Sequence, residues 1–133
     1  MTELSPLILI VDDESDLLGS YKTKFERSGF RVLTASNGEE GVAAAIANHP
    51  DLILMDVKMP VMDGVAAQQK LNENPATKDI KVVFLTAFSD PSRINLDETL
   101  AKTNGALDFI KKGSSLDDLV AKVRGYLAPQ KQG

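Results

Sequence analysis

Five short apolar runs do most to constrain what this chain can fold into: Leu7–Val11, Arg31–Ala35, Leu52–Met55, Val82–Leu85 and Leu107–Ile110. Most are continuously apolar. A strand with one wet face alternates, so continuous runs indicate strands covered on both faces, as in a parallel sheet. The segments between them are amphipathic. Leu17, Leu18, Tyr21 and Phe25 fall on one helical face, and Gly29 follows as a stop. Asn37 can cap a second helix, with Glu39 and Glu40 in its first turn and Val42, Ala45 and Ile46 as its expected buried stripe. A third helix is expected to start at Asp63-Gly64, bury Val65 and Leu71 and end before Pro75. A fourth segment is expected from about Leu96 to Thr103, ending near Gly105. The last helix has Ser115 as its cap, Asp117 and Asp118 in its first turn, and Leu116, Leu119, Val120, Val123 and Leu127 as its stripe. Pro129 stops it, and a disordered tail is expected from there.

Strands alternating with helices imply an α/β parallel sheet with right-handed crossovers, and such sheets bind ligands at the carboxyl ends of their strands. The 133 residues suffice for one domain with one sizeable core. No cysteine is present, which excludes disulfides and thiolate metal sites. His49 is the only histidine, so a multi-histidine zinc site is excluded, and its place before Pro50 is that of a helix end. The net charge of −4 without a basic run gives no sign of nucleic-acid binding. The longest apolar stretch is too short to cross a bilayer, and Met1–Pro6 lacks the features of a secretion signal. A cytoplasmic protein is the expectation.

The chemistry should therefore lie just after each apolar run. The first run ends in Asp12-Asp13-Glu14, the third in Asp56, the fourth in Thr86-Ala87, and Lys111-Lys112 follows the fifth. In a parallel sheet these emerge on one edge. At about 4 Å and an effective dielectric of about 20, each like-charge pair among Asp12, Asp13 and Asp56 costs roughly 4 kcal/mol. A hard divalent cation relieves that repulsion, and Mg²⁺ prefers oxygen ligands and shares its shell with phosphate. A carboxylate beside it can attack a phosphoryl group and form an acyl phosphate. A lysine and a hydroxyl can then meet the charge on the transferring oxygens. Taken singly, each residue also has a plain role. Asp12 and Asp13 suit a helix start, Asp56 suits a loop, Thr86 suits a strand end, and Lys112 suits a solvated surface. The joint pattern favours the reaction.

These pieces resemble the receiver domain of bacterial response regulators along nearly the whole chain. The resemblance is carried by Leu7–Val11 with Asp12-Asp13, by the nine residues from Asp56 to Gly64 (Asp-Val-Lys-Met-Pro-Val-Met-Asp-Gly), by Thr86-Ala87 and by Lys112. The nine-residue piece is highly specific. The resemblance implies a flavodoxin-like, doubly wound five-stranded parallel sheet of order 2-1-3-4-5, with helices on both faces. It implies that Asp56 accepts a phosphoryl group from the phosphohistidine of a histidine kinase or histidine phosphotransfer protein. It further implies that Asp13, Asp56 and the Lys58 carbonyl hold Mg²⁺, with Asp12 acting through water. Thr86 and Lys112 would contact the phosphoryl group, and Phe109 would occupy the aromatic switch position. The output would be a downstream protein, or a second copy, docking on the face built from the fourth helical segment, the fifth strand and the last helix. At most, the chain would catalyse its own phosphorylation and dephosphorylation.

Three features depart from the family pattern. Gly113 follows Lys112 where proline is usual, so the turn is expected to form differently. The Phe88–Thr103 segment is longer than usual and contains Asp90-Pro91-Ser92. Phe109 lacks the hydroxyl of the common tyrosine. Lys112 rather than Lys111 matches the family spacing to Phe109. A phosphatase with an Asp-x-Asp nucleophile is a competing reading, but Lys58 stands where its second acid belongs. Nucleotide-binding loops are absent. A receiver-like interaction module without phosphorylation is the other alternative, and the complete acid set argues against it. After the last helix no output domain is expected, which fits either a regulator acting alone or a piece of a larger protein.

Overall fold

A computed structural model describes residues 5–57, 59–86, 105–113 and 115–128. Its strands are β1 (Leu7–Val11), β2 (Arg31–Ala35), β3 (Leu52–Asp56), β4 (Lys81–Thr86) and β5 (Asp108–Lys111). Its helices are α1 (Ser15–Arg27), α2 (Gly38–Asn48), α3 (Gly64–Glu73) and α4 (Leu116–Leu127). The expected segment at 96–103, the departure at 88–103 and the tail from 129 lie outside the described residues. All strand pairs are parallel and the order is β2-β1-β3-β4-β5, as the resemblance implies.

The continuous apolar runs are explained by the two faces of this sheet. Alternate residues point to opposite sides of a strand. Ile8, Ile10, Leu52, Leu54, Val83, Leu85 and Ile110 pack with Tyr21 and Phe25 of α1 and with Leu119, Val120 and Val123 of α4. Leu9, Val11, Ile53, Met55, Val82 and Phe84 pack on the other side with Ala45 of α2 and with Ala67 and Leu71 of α3. Each face buries a full set, so neither set could be polar.

The helix starts follow the expected chemistry. Asn37 accepts from the Glu40 N–H at 2.9 Å, and Glu40 reaches back to accept from the Ser36 N–H. Asp63 accepts from the Ala66 N–H at 2.8 Å, and Ser115 caps α4. His49 ends α2 in the left-handed region (φ 50°), consistent with its reading as a helix-end residue. One stripe is corrected. Ala45 is buried and Val42 half-buried as expected, but Ile46 is 40% exposed, and α2 turns Gly38 and Gly41 inward in its place. The physical reason is close packing. A Cβ at Gly41 would stand 2.9 Å from the Val11 side chain, so the glycine face lets the helix approach the sheet more closely than an isoleucine face would. The last strand also begins one residue later than expected, and Leu107 is exposed.

Candidate phosphoacceptor site

Strand parity delivers the polar residues to one side. Asp12 continues the alternation of Ile8 and Ile10, Asp56 that of Leu52 and Leu54, and Lys112 that of Ile110. All three therefore emerge on the α1 face at the carboxyl edge. Lys111 has the opposite parity and is exposed, which is why Lys112 supplies the ammonium. Thr86 ends β4 at the same edge, and its carbonyl accepts from the Lys112 N–H at 2.8 Å.

The Lys112 Nζ lies 2.8 Å from Asp12 Oδ2, 2.9 Å from Asp56 Oδ2 and 3.1 Å from Glu14 Oε1. Asp12 is fully buried and Asp56 is 5% exposed, whereas Asp13 is exposed. Asp12 Oδ1 accepts from the Glu14 N–H at 2.9 Å, which shapes the loop after β1. Burial raises the Asp56 carboxyl above its ordinary value. The Lys112 hydrogen bond and charge oppose this, and Asp12 and Asp13 reinforce it. For Lys112, burial favours the neutral amine. The hydrogen bonds and charges of Asp12 and Asp56 outweigh burial and hold the ammonium well above its usual range.

Asp12, Asp13 and Asp56 each offer a carboxylate oxygen, and these lie within 4.8 Å of one another. Asp12 Oδ2 is buried 2.8 Å from the Lys112 ammonium. A hard divalent cation fits this donor set. The Lys58 carbonyl lies outside the described residues.

The loop between β3 and α3 is held by two close approaches. Gly64 donates to the Val57 carbonyl at 2.7 Å, and a Cβ there would meet the Asp56 carbonyl oxygen and stand 2.8 Å from a Phe84 ring carbon. The Asp-Gly end of the motif is thus required sterically. Gly64→Ala should destabilise the fold by about 1–3 kcal/mol through overpacking. Urea unfolding would check this, and an unchanged midpoint would show that the loop shifts freely. Gly38 donates to the Met62 carbonyl at 2.9 Å, joining α2 to the same loop. Phe109 stacks on Phe84 at 5.5 Å between centroids, on the face opposite the acids.

Two site residues were not singled out from sequence. Glu14 was visible in the acidic run, but nothing in its spacing showed that it would reach Lys112. Tyr21 had been assigned to the core and is buried there. Burial raises its hydroxyl's pKa, and it lies close enough to Lys112, Asp12, Glu14 and Asp56 to feel their charges.

The family model for the response regulator receiver domain matches residues 8–124. The transcriptional regulatory protein PrrA of Mycobacterium tuberculosis is 39% identical over 124 residues, covering 92% of this chain and 50% of that protein. The chain thus spans about half the length of the curated relatives it first matches. Among solved structures, the signal receiver domain of a histidine kinase from Syntrophus aciditrophicus is 35% identical with a TM-score of 0.81, covering 92% of this chain and 90% of that one. The receiver domain of sensor histidine kinase PA1611 from Pseudomonas aeruginosa has a TM-score of 0.82, covers 92% and 98%, and holds magnesium in its active-site cleft; at 23% identity it speaks to the fold alone. With the family matched across nearly all of the described residues and the same architecture recurring in these relatives, the chain belongs to the response regulator receiver domain family.

Proposed function

We propose that this chain takes a phosphoryl group onto Asp56 in two-component signalling, as a phospho-acceptor rather than an enzyme with an external product. The observation that carries this reading is the buried Asp56 carboxylate, paired to Lys112 at 2.9 Å and grouped with Asp12 and Asp13. One Asp56 carboxylate oxygen attacks phosphorus. The bond from phosphorus to the donor breaks, and the donor (a phosphohistidine imidazole or acetate) leaves with the electron pair. Lys112 neutralises charge on the phosphoryl oxygens, and Thr86 stands at the same edge to hydrogen-bond one of them.

Asp13 and Asp56 would hold Mg²⁺, with Asp12 in support, and the ion would add further charge neutralisation at the phosphoryl oxygens. The phosphodonor would be a histidine kinase or histidine phosphotransfer protein. The output would pass to a protein, or to a second copy of the chain, docking at β5 and α4 together with the segment before β5. No helix among the described residues is long and apolar enough to cross a membrane.

The test is intact-mass measurement after incubation with acetyl phosphate and Mg²⁺. The chain should gain the mass of one phosphoryl group, and a chain that gains none would defeat the reading. EDTA should abolish the gain. Asp13→Ala should weaken Mg²⁺ binding by at least about tenfold, since losing even a residue that only supports a metal ligand costs about that much. Isothermal titration would check this, and wild-type affinity in the variant would place the ion elsewhere.

A further inference from the structure

Glu14 occupies the N-cap of α1, a position that favours Ser, Thr, Asp or Asn, and its side chain makes no capping hydrogen bond. Its carboxylate instead reaches Lys112 at 3.1 Å. Its backbone N–H is held by Asp12 Oδ1, so the residue is tied to the site at both ends. An ammonium has three N–H donors, and here three carboxylates surround it. They are unequal. Asp12 and Asp56 are buried, whereas the Glu14 side chain is 64% exposed and makes the longest of the three contacts.

We propose that Glu14 is a positioning residue for Lys112: it holds one side of the ammonium at the rim of the site and is the partner given up when a phosphoryl group arrives at Asp56. This rests on the phospho-acceptor reading. An incoming phosphoryl oxygen needs a donor from Lys112, and the weakest-held acceptor is the one displaced. Asp12 cannot move into solvent without exposing a buried anion's cavity, whereas Glu14 can swing outward into water. The contact thus sets how readily Lys112 is recruited.

Two variants separate contact from charge. Glu14→Gln keeps the length and removes the charge. Glu14→Asp keeps the charge but draws the carboxylate back by about 1.5 Å, beyond hydrogen-bond reach of Nζ, and presents a better N-cap. The first readout needs no phosphodonor: the ¹⁵N–¹H resonance of the Lys112 ammonium in metal-free protein. Both variants should shift it and hasten its proton exchange with water. The second is the saturating rate of acetyl-phosphate labelling with Mg²⁺, which should rise by about two- to fivefold in both, the range an exposed ion pair spans. The rise should vanish when Lys112 is also replaced by alanine. An unmoved ammonium resonance, a Glu14→Asp variant that labels like wild type, or a rise that survives loss of Lys112 would each overturn the proposal. A wild-type chain that takes no phosphoryl group would overturn the phospho-acceptor reading and this proposal with it. That failure is seen without any variant and so is distinguishable from the others.

Discussion

Asp56→Asn should reduce phosphoryl labelling by acetyl phosphate to background and, in the absence of metal, raise the melting temperature. The first effect follows from the loss of the nucleophilic oxygen anion; an amide in the same place cannot form an acyl phosphate. The second follows from electrostatics. Burial, with Asp12 and Asp13 nearby, raises the Asp56 carboxyl above its ordinary value despite Lys112. The folded state therefore binds this proton more tightly than the unfolded chain. Stability from the group is fully present below its unfolded value of 3.8 and is lost as pH rises through the raised folded value. Above the raised folded value the ionised carboxylate is a net cost, and the neutral amide removes it. The variant's advantage should accordingly shrink on acidification toward the unfolded value. Mass spectrometry and thermal melts across that window check both parts. Full labelling of the variant would move the chemistry to another residue, and an advantage that does not vary with pH would assign the stabilisation to packing.

Lys112→Met should have the largest effect on stability. The ammonium is 12% exposed and stands between Asp12 and Asp56. Removing one partner of a buried ion pair typically costs roughly 3–5 kcal/mol, because the remaining charge is left uncompensated. Protonation of the stranded carboxylates limits that cost, so the loss should be greatest at neutral pH and smaller in acid. Mg²⁺ should restore part of it by binding to the acids the lysine no longer neutralises. The folded ammonium is held well above its unfolded value of 10.5, so its contribution is fully present below that value and fades as pH climbs through the raised one. Urea unfolding with and without Mg²⁺ measures this. A loss below about 0.5 kcal/mol, the level of an ordinary surface substitution, would show that Asp12 and Asp56 do not depend on Lys112.

Much of this protein was legible before its structure. Continuous apolar runs require two covered faces, and the structure supplies both with interleaved residues of the same strands. Caps at Asn37 and Ser115, and a helix start at Asp63, could be read because the bonds these residues make are local, spanning three residues. The nine residues from Asp56 to Gly64 identified the family because steric and chemical demands coincide there. The family spacing to Phe109 selected Lys112 over Lys111, and strand parity, with Ile110 facing inward, then places Lys112 among the acids. The strand order did not follow from periodicity, which is blind to which strands become neighbours, and came only through the family resemblance. Tertiary structure alone decided that Ile46 faces outward, because how closely α2 approaches β1 depends on the glycine contact with Val11. It alone brought Glu14 and Lys112 together across 98 residues. Such a pairing leaves no local signal, because its energy arises from charges that meet only after the sheet has formed.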